Sequence, residues 1–366
     1  SELESLMSVS DLVITTGGLG PTHDDISKEV LCEFFDDKLV LNNEVYEYLK
    51  ELYKRRGFQF SERNQSMAWL PSKCKILRNE VGSASGMLFE KDGKYVISLP
   101  GVPAEMKNIM TTGVIPFVKE LIRDRKSDVM LFKTFQTAGI PESMLADLIG
   151  EPSQFLKAGE TLAFLPSYRG VRLRLGVEAP DMLKAQKRIS ELEEFLKSKA
   201  GDYVYGYGDE SLSSAIGKML IDKKKTVAVA ESCTGGMLGA AFTDNPGSSE
   251  YFFGGIIAYS NDVKISQVNV KPETIDNFGA VSEETAVELA VNIRKIFNTD
   301  FGIGVTGIAG PTGGSPEKPV GTVWIALADK TSVKARKFVF GNDRAVNREI
   351  AVGRALTMLY EKLHKL

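Results

Sequence analysis

The sequence predicts a multidomain α/β protein, and three observations support this prediction. The chain has 366 residues, which is more than one hydrophobic core usually serves. Near both ends, short apolar runs end in glycine-rich turns that lead into helical patterns, as in parallel sheets flanked by helices. Between them, short alternating segments precede a charged helix, which is typical of a small α+β domain. We therefore place three domains at residues 1–125, 126–205 and 206–366.

The composition excludes several classes of protein. The net charge is −3 and no strongly basic block occurs, which argues against a nucleic-acid partner. No run of about 18 apolar residues is present, so we predict no membrane partner. The first residues lack a signal-peptide pattern, and the three cysteines are far apart in sequence, which argues against a disulfide framework. These features favour a cytoplasmic protein.

The first predicted strand, residues 11–16, is followed by a glycine-rich loop and then a helical pattern. Such loops let backbone N–H groups approach an anion at a helix N-terminus. The loop residues that we expect to contact a phosphate are Gly17, Gly18, Gly20 and Thr22. Asp24 and Asp25 lie at the predicted helix start and could hold a divalent metal ion through oxygen ligands. The alternative is that Thr22 or Asp24 only caps that helix.

The following segments complete the first domain and form the second. A helix is predicted over residues 42–70, with Asn42 or Asn43 as its cap. The strand at residues 94–99 ends in a Pro-Gly-Val-Pro turn, expected at the same sheet edge as the glycine loop. In the second domain we predict strands near residues 129–138 and 172–175 and a helix over residues 181–200. The Gly/Tyr-rich residues 201–209 are predicted to be a linker.

From residue 211 the pattern again alternates between strands and helices, which predicts a doubly wound α/β domain. The predicted strands are residues 227–230, 254–259, 301–305, 322–328 and 333–339. The predicted helices begin near residue 212, residue 237, residue 282 and residue 343.

Histidine is too rare to supply the base for most candidate sites, because the chain has only His23 and His364. Nucleophilic catalysis in the C-terminal half therefore favours lysine or tyrosine as the base. Ser232 directly follows a strand and precedes a helix, where its Oγ would be exposed and nearby backbone N–H groups could bind an oxyanion. Ser249 is a second candidate nucleophile, and each serine could instead be a helix cap.

Lys264 could act as the base if burial lowers its pKa, although a single lysine is usually solvated. Tyr259 could relay a proton or orient the lysine, or simply pack in a strand. Cys233, in the same tight turn as Ser232, is expected to be a small buried residue. Arg344, just before the last helix, is suited to a phosphate or carboxylate.

Five ordered motifs, AESCTGG, GSSEYFFGGIIAYSNDVK, GAVSEETA, GVTGIAGPTGGSPEKPVGTVW and GNDR, resemble the C-terminal domain of the CinA proteins. That family includes nicotinamide mononucleotide deamidases, which convert the carboxamide to an acid and release ammonia in pyridine-nucleotide salvage. The resemblance implies catalytic roles for Ser232, Ser249, Tyr259 and Lys264, without a cofactor. The substrate-binding residues that it implies are Thr234, Gly235, Thr306, Gly307, Ala309, Gly310 and Arg344.

The motifs TTGGLGPTHDD and LPGVPAEM resemble the MogA/MoaB-type, molybdopterin-binding-like domain that opens CinA proteins. This domain has been linked to a metal-dependent ADP-ribose pyrophosphatase, here through Asp24 and Asp25. Family members carry a strand–helix–strand unit before this loop, so we expect an incomplete N-terminal domain. The middle segment resembles the family's KH-like domain but has no GxxG loop, so no RNA binding is predicted. The resemblance also implies a homodimer.

Three hypotheses follow for the function. The first is a nicotinamide mononucleotide amidohydrolase with a Ser–Lys mechanism, in which Ser232 is only slightly preferred over Ser249 as the nucleophile. The second is the metal-dependent ADP-ribose pyrophosphatase in the N-terminal domain. The third is a non-catalytic scaffold that binds these small-molecule nucleotides.

Overall fold

The computed structural model describes residues 2–123, 128–168 and 170–366. The chain divides into two compact units, Ser1–Lys126 and Ser127–Leu366, and both contain sheets flanked by helices. The predicted α/β, multidomain class is therefore confirmed. None of the helices in the described ranges is long and apolar enough to cross a bilayer.

The first unit is built on a sheet with the strand order β1-β6-β5-β4, and a separate ladder joins β2 to β3. Its strands are β1 (Leu12–Thr16), β2 (Leu39–Leu41), β3 (Trp69–Pro71), β4 (Lys75–Leu77), β5 (Gly86–Lys91) and β6 (Lys94–Leu99). Its helices are α1 (Glu2–Val9), α2 (Ser27–Phe34), α3 (Asn43–Arg55), α4 (Glu62–Gln65), α5 (Pro103–Ile109) and α6 (Ile115–Leu121). Strands β1 and β6 are parallel, so the glycine loop and the Pro-Gly-Val-Pro turn share one edge, as predicted.

Two predictions for this unit were wrong in detail. The predicted helix over residues 42–70 ends at Arg55, and Gly57 follows with a φ of +72°, a backbone conformation that suits glycine after a helix. Asn42 caps the helix start, as expected. Helix α2 begins only at Ser27, and no side chain caps it, so the alternative interpretation, that Thr22 or Asp24 only caps this helix, is wrong.

The second unit begins with an antiparallel sheet in the order β10-β7-β9-β8. Its elements are β7 (Val129–Thr137), α7 (Glu142–Ile149), β8 (Glu160–Ser167), β9 (Gly170–Ala179), α8 (Met182–Ala200) and β10 (Val204–Tyr207). Helix α8 buries its apolar side against β9 and β7. The predicted linker at residues 201–209 therefore contains a strand of this sheet, which corrects that prediction.

The rest of the unit is a five-stranded sheet in the order β12-β11-β13-β14-β15. Its strands are β11 (Val227–Glu231), β12 (Phe252–Ile257), β13 (Phe301–Gly307), β14 (Thr322–Ala328) and β15 (Val333–Val339). The helices around it are α9 (Leu212–Asp222), α10 (Met237–Thr243), α11 (Asn261–Val268), α12 (Pro272–Phe278), α13 (Glu283–Ile296) and α14 (Arg344–His364).

Helices cover both faces of this sheet. Helices α9, α10 and α14 bury apolar side chains on one face, and α11, α12 and α13 do so on the other. Every residue of β11 is buried, as expected for a parallel strand between two helical layers. Strands β12, β11 and β13 are parallel, whereas β14 and β15 are antiparallel additions. The carboxyl ends of the three parallel strands therefore meet at one edge, where ligands of open α/β sheets bind.

Candidate active site

Ser232 and Lys264 meet at this edge of the C-terminal sheet. Ser232 directly follows β11, while Lys264 lies on α11, the helix that follows the neighbouring parallel strand β12. The distance from Lys264 Nζ to Ser232 Oγ is 3.2 Å. Ser232 is 8% exposed and Lys264 is 1% exposed, so water is largely kept from the pair. The structure thus brings together a nucleophile and a base that the sequence had offered as candidates.

The surroundings of Lys264 favour its neutral form. Burial lowers the pKa of Lys264 from its ordinary value. In the described residues no carboxylate forms an ion pair with this lysine. Its Nζ lies 2.9 Å from the carbonyl oxygen of Ala258 and 3.1 Å from that of Tyr259. A neutral amine can donate its two N–H groups to these carbonyls and direct its lone pair at the Ser232 hydroxyl, which is the geometry of a general base.

Glu231 holds the turn that carries Ser232. Its carboxylate accepts hydrogen bonds from the N–H groups of Gly236 (3.0 Å), Leu238 (3.0 Å) and Gly239 (2.8 Å), at the start of α10. These N–H groups at the start of α10 are therefore bound by the Glu231 carboxylate and are not available to a ligand. Glu231 is 2% exposed. The sequence analysis missed this role, although an acidic residue shortly before a helix is a known signal.

Among the described residues, two backbone N–H groups that follow Ser232 in the turn are free. The Ser232 N–H donates to the Val305 carbonyl at 2.9 Å, and the Gly235 N–H donates back to the Ser232 carbonyl at 3.1 Å. Over the described chain, the N–H groups of Cys233 and Thr234 donate to no other residue. They are the donors adjacent to Ser232 Oγ that could bind an oxyanion.

Arg344 and Tyr259 lie together at the mouth of the site. Arg344 donates to the Tyr259 hydroxyl and to the Gly310 carbonyl, both at 3.0 Å. Asp343 caps the N-terminus of α14. The cap fixes the backbone of Arg344, from which the guanidinium extends. Tyr259 is 60% exposed, and its hydroxyl contacts Arg344 rather than Lys264. Its backbone carbonyl, not its phenol, is the group that contacts the lysine.

The loop after β13 forms a wall of the site with its backbone. The Thr306 hydroxyl is buried and donates to the Ala280 carbonyl at 2.6 Å, while the Ala309 carbonyl accepts from Asn347 at 2.9 Å. Gly307 ends β13, opposite Val323 of β14. At Gly310, φ is +89° and an added Cβ would come within 2.6 Å of Val320, so a larger residue would not fit.

Thr234 and Gly235 complete the turn. Thr234 is fully buried, and its Oγ1 has no hydrogen-bond partner among the described residues. Gly235 has a φ of +58°, in the left-handed region that favours glycine. Arg348 donates to the Thr234 carbonyl at 2.9 Å, a contact that the sequence analysis missed. Its position one helical turn after Arg344 was a usable signal, because residues four apart share a helix face.

Ser249 is not part of this group. It lies in the turn Ser248–Glu250 before β12, at the opposite edge of the sheet, and it is exposed. Strand β11 separates the two edges, so Ser249 lies about 15 Å from Ser232, at roughly 3.3 Å per strand residue. Cys233 is buried, and burial raises the pKa of its thiol to about 12, which keeps it protonated and unreactive.

The N-terminal glycine loop closes on itself through Thr22 and Asp25. The Thr22 hydroxyl lies 2.6 Å from Asp24 and 2.5 Å from Asp25, and the Thr22 N–H donates to Asp25 at 3.1 Å. The hydrogen bond from the Thr22 side chain lowers the pKa of Asp25.

Gly17, Gly18 and Gly20 surround this group. Both Gly17 and Gly18 have positive φ, and an added Cβ on Gly20 would meet the Asp25 carboxylate at 2.5 Å. Within the described ranges, no cluster of three or more His, Cys, Asp or Glu side chains could hold a metal ion. Asp24 and Asp25 could therefore provide only two protein carboxylates to a metal.

Comparisons with known proteins assign each part of the chain. Residues 209–363 match the CinA C-terminal domain, residues 1–120 match a probable molybdopterin binding domain, and residues 132–206 match the damage-inducible protein CinA KH domain.

Individual relatives agree with this assignment. A CinA-like protein of Chloroherpeton thalassium is 40% identical, over 99% of this chain and 87% of its own. A CinA-like protein of Flavobacterium psychrophilum is 40% identical, with the same two shares. The crystal structure of competence/damage inducible protein CihA from Agrobacterium tumefaciens is 39% identical, covers 40% of this chain and 91% of its own, and has a TM-score of 0.40. The two CinA-like relatives, each 40% identical over almost the whole chain, show that the chain belongs to the CinA family.

Proposed function

We propose that this protein hydrolyses the carboxamide of nicotinamide mononucleotide to nicotinic acid mononucleotide and ammonia. The observation that carries the proposal is the buried Ser232–Lys264 pair, with Nζ and Oγ 3.2 Å apart. A hydroxyl held beside a desolvated amine is suited to nucleophilic attack on an amide carbon. The choice of substrate rests on the motifs that the C-terminal domain shares with the nicotinamide mononucleotide deamidases of the family.

The reaction proceeds in two steps. Ser232 Oγ attacks the carboxamide carbon while its proton passes to Lys264 Nζ, and the N–H groups of Cys233 and Thr234 stabilise the oxyanion. The intermediate collapses when the C–N bond breaks and Lys264 returns the proton to the leaving nitrogen, which departs as ammonia. Lys264 then takes a proton from water, whose oxygen attacks the acyl carbon. The bond from that carbon to Ser232 Oγ breaks, Lys264 returns the proton to Oγ, and the acid is released. No metal takes part in these steps.

Arg344 would hold the phosphate of the substrate. Its present partners, a phenol and a backbone carbonyl, are uncharged, and among the described residues it has no ion pair. Its positive charge therefore remains available to an anion at the mouth of the site. A guanidinium can bind a phosphate through two parallel hydrogen bonds. The stacking surface of the exposed Tyr259 lies beside it and could contact the pyridine or ribose.

The test is ammonia release from nicotinamide mononucleotide by the full chain in the presence of a chelator. We expect turnover by the native protein and a loss of at least about a thousandfold in Ser232→Ala, because the nucleophile is removed. Ser266→Ala is the matched control, since Ser266 is an exposed serine on the same helix as Lys264. If the native protein binds the nucleotide without releasing ammonia, the non-catalytic scaffold is the better hypothesis and the proposal fails.

A further inference from the structure

Arg348 holds the turn that follows Ser232 from the side of helix α14. Its Nη2 donates to the Thr234 carbonyl at 2.9 Å. The Met237 N–H donates to the same carbonyl at 3.3 Å. The Gly235 N–H, which belongs to the same peptide group as that carbonyl, donates to the Ser232 carbonyl at 3.1 Å. The peptide group between Thr234 and Gly235 is therefore held at both its oxygen and its nitrogen.

Two side chains of opposite charge hold this turn. The Glu231 carboxylate binds N–H groups at the start of α10, whereas the Arg348 guanidinium binds a carbonyl. The N–H groups of Cys233 and Thr234, which have no partner in the described part of the chain, directly precede the peptide group that Arg348 binds. A rotation of that peptide group would also turn these donors. The contact of Arg348 therefore restrains the direction of the N–H groups that could bind an oxyanion.

Gly235 lets the guanidinium come close to the turn. Its φ is +58°, and an added Cβ would lie 3.3 Å from Arg348 Nη2, which is closer than an ordinary van der Waals contact. Both the backbone conformation and the close approach therefore favour glycine at this position. The turn and the guanidinium fit each other.

The surroundings of Arg348 are not those of an arginine that serves stability alone. Its side chain is partly buried, and over the described ranges it forms no ion pair. Its Nε is buried and has no hydrogen-bond partner among those residues. A charge without a counterion and a buried donor without an acceptor both cost free energy, which an apolar side chain of similar length would avoid. An arrangement with such a cost is explained if the guanidinium acts in the reaction.

We propose that Arg348 is a positioning residue for the oxyanion of the amide hydrolysis and acts through the Thr234 carbonyl. This inference rests on the proposed function, because it concerns the same reaction at Ser232. Arg348 directs the N–H groups of Cys233 and Thr234 at the carboxamide oxygen, and its unpaired charge stabilises the negative charge that develops there.

The two arginines of α14 then have different effects on the reaction. Arg344 would bind the phosphate, which is the same in the bound substrate and in the transition state, so its loss raises KM. Arg348 acts on a charge that exists only during the reaction, so its loss lowers kcat.

Kinetics of Arg348→Met tests this difference. We expect kcat to fall about tenfold to a hundredfold, which is less than the roughly 10²–10³ lost with an oxyanion donor itself, while KM changes by less than about threefold. Arg348→Lys keeps the charge and should stay within about tenfold of the native kcat. Arg354→Met is the matched control, because Arg354 is an exposed arginine of the same helix that lies over the Phe338 ring. It should keep the native kcat.

The aldehyde analogue of nicotinamide mononucleotide, in which an aldehyde replaces the carboxamide, separates the oxyanion role from a structural one. Ser232 Oγ adds to the aldehyde carbon, its proton passes to Lys264 Nζ, and the carbonyl oxygen becomes the oxyanion. In titration calorimetry of the full chain, Arg348→Met should bind this analogue at least about tenfold more weakly than the native chain. Its affinity for the product, nicotinic acid mononucleotide, should change by less than about threefold, because no oxyanion forms there.

Each outcome decides between the two proposals. Native kcat in Arg348→Met, an equal loss of affinity for the aldehyde and the product, or an equal loss of kcat in Arg354→Met would overturn the role of Arg348 and leave the amidase intact. No ammonia release by the native chain would overturn the proposed function and this inference with it. Circular dichroism checks that each variant is folded. If Arg348→Met does not fold, Arg348→Gln, which keeps a donor without the charge, takes its place with the same expected results.

Discussion

Replacement of Lys264 by methionine separates the chemical role of this lysine from its structural role. Methionine has a similar length and no charge, so it should fill the same buried space. We predict that Lys264→Met lowers kcat for nicotinamide mononucleotide by about 10²–10⁴, the usual contribution of a general base. KM should change by less than about threefold, because the substrate is expected to bind at Arg344 and the loop walls.

The stability of this variant should stay close to that of the native chain. Loss of the amine leaves the carbonyl oxygens of Ala258 and Tyr259 without a donor, at a cost of about 1–3 kcal/mol each. The same change removes an amine whose burial in the neutral form costs free energy, because folding gives up the charged form that the unfolded chain holds in water. Since these effects oppose each other, we expect the free energy of unfolding to change by less than about 2 kcal/mol, as measured by urea denaturation.

The pH dependence supplies a second readout. Only the neutral amine can take the Ser232 proton, so kcat/KM should rise with pH through the lowered pKa of Lys264. Between that pKa and the ordinary value of 10.5, the unfolded chain binds a proton that the folded chain does not. The free energy of unfolding should therefore rise with pH across this window, relative to Lys264→Met.

The reasoning is refuted if Lys264→Met remains folded and keeps its rate within about threefold. It is also refuted if the variant loses activity but keeps the same rise of kcat/KM with pH, because another group would then be the base. Lys271→Met is the matched control, since Lys271 is an exposed lysine that precedes α12. It should leave both the rate and the pH profile unchanged.

Three further predictions concern the rest of the site. Ser249→Ala should keep activity within about threefold, because Ser249 lies at the far edge of the sheet from Lys264; a loss comparable to that of Ser232→Ala would show that Ser249 reaches the reaction. Arg344→Ala should raise KM for nicotinamide mononucleotide by about tenfold to a hundredfold, with little effect on the unphosphorylated riboside. Equal effects on both substrates would contradict a phosphate role. Glu231→Gln should lower the free energy of unfolding by about 1–3 kcal/mol, because its amide cannot accept all three N–H bonds of α10; unchanged urea midpoints would refute this role.

Local patterns predicted the elements that are specified by local interactions. Strands β14 and β15 were predicted at their observed bounds, because a short apolar run (β14) or alternating apolar residues (β15) between turns mark a strand without knowledge of its partner. The helix start near residue 282 was predicted for the same reason, because its cap Ser282 accepts from the N–H of Thr285, only three residues away. Strand β10 was taken as a linker because its status depends on pairing with β7, far away in sequence.

The candidate site also contains residues that local patterns could identify and contacts that they could not. Ser232 and Lys264 could be selected from residue type and from their positions after successive strands. The contact of Arg348 with Thr234 joins residues 114 positions apart, so a local pattern could place Arg348 on the same helix face as Arg344 but could not identify its partner. The three bonds to Glu231 depend on how α10 turns after Gly235 and Gly236, which both have positive φ. Supporting contacts of this kind depend on tertiary packing and become visible only in the folded chain.

The direction of one strand determines which of the two serines lies beside Lys264 within a chain. Strand β12 runs parallel to β11, so the residues that follow it, including Lys264, lie beside Ser232. The residues that precede β12, including Ser249, lie at the other edge. Had β11 and β12 formed an antiparallel hairpin, the start of β12 would have lain beside the end of β11, and Ser249 would have approached Ser232. The intervening helix α10 provides the crossover that a parallel pair requires. The sequence already contained that helix, so strand direction, rather than the chemistry of either serine, was the step that the sequence analysis lacked in placing Ser232 beside Lys264.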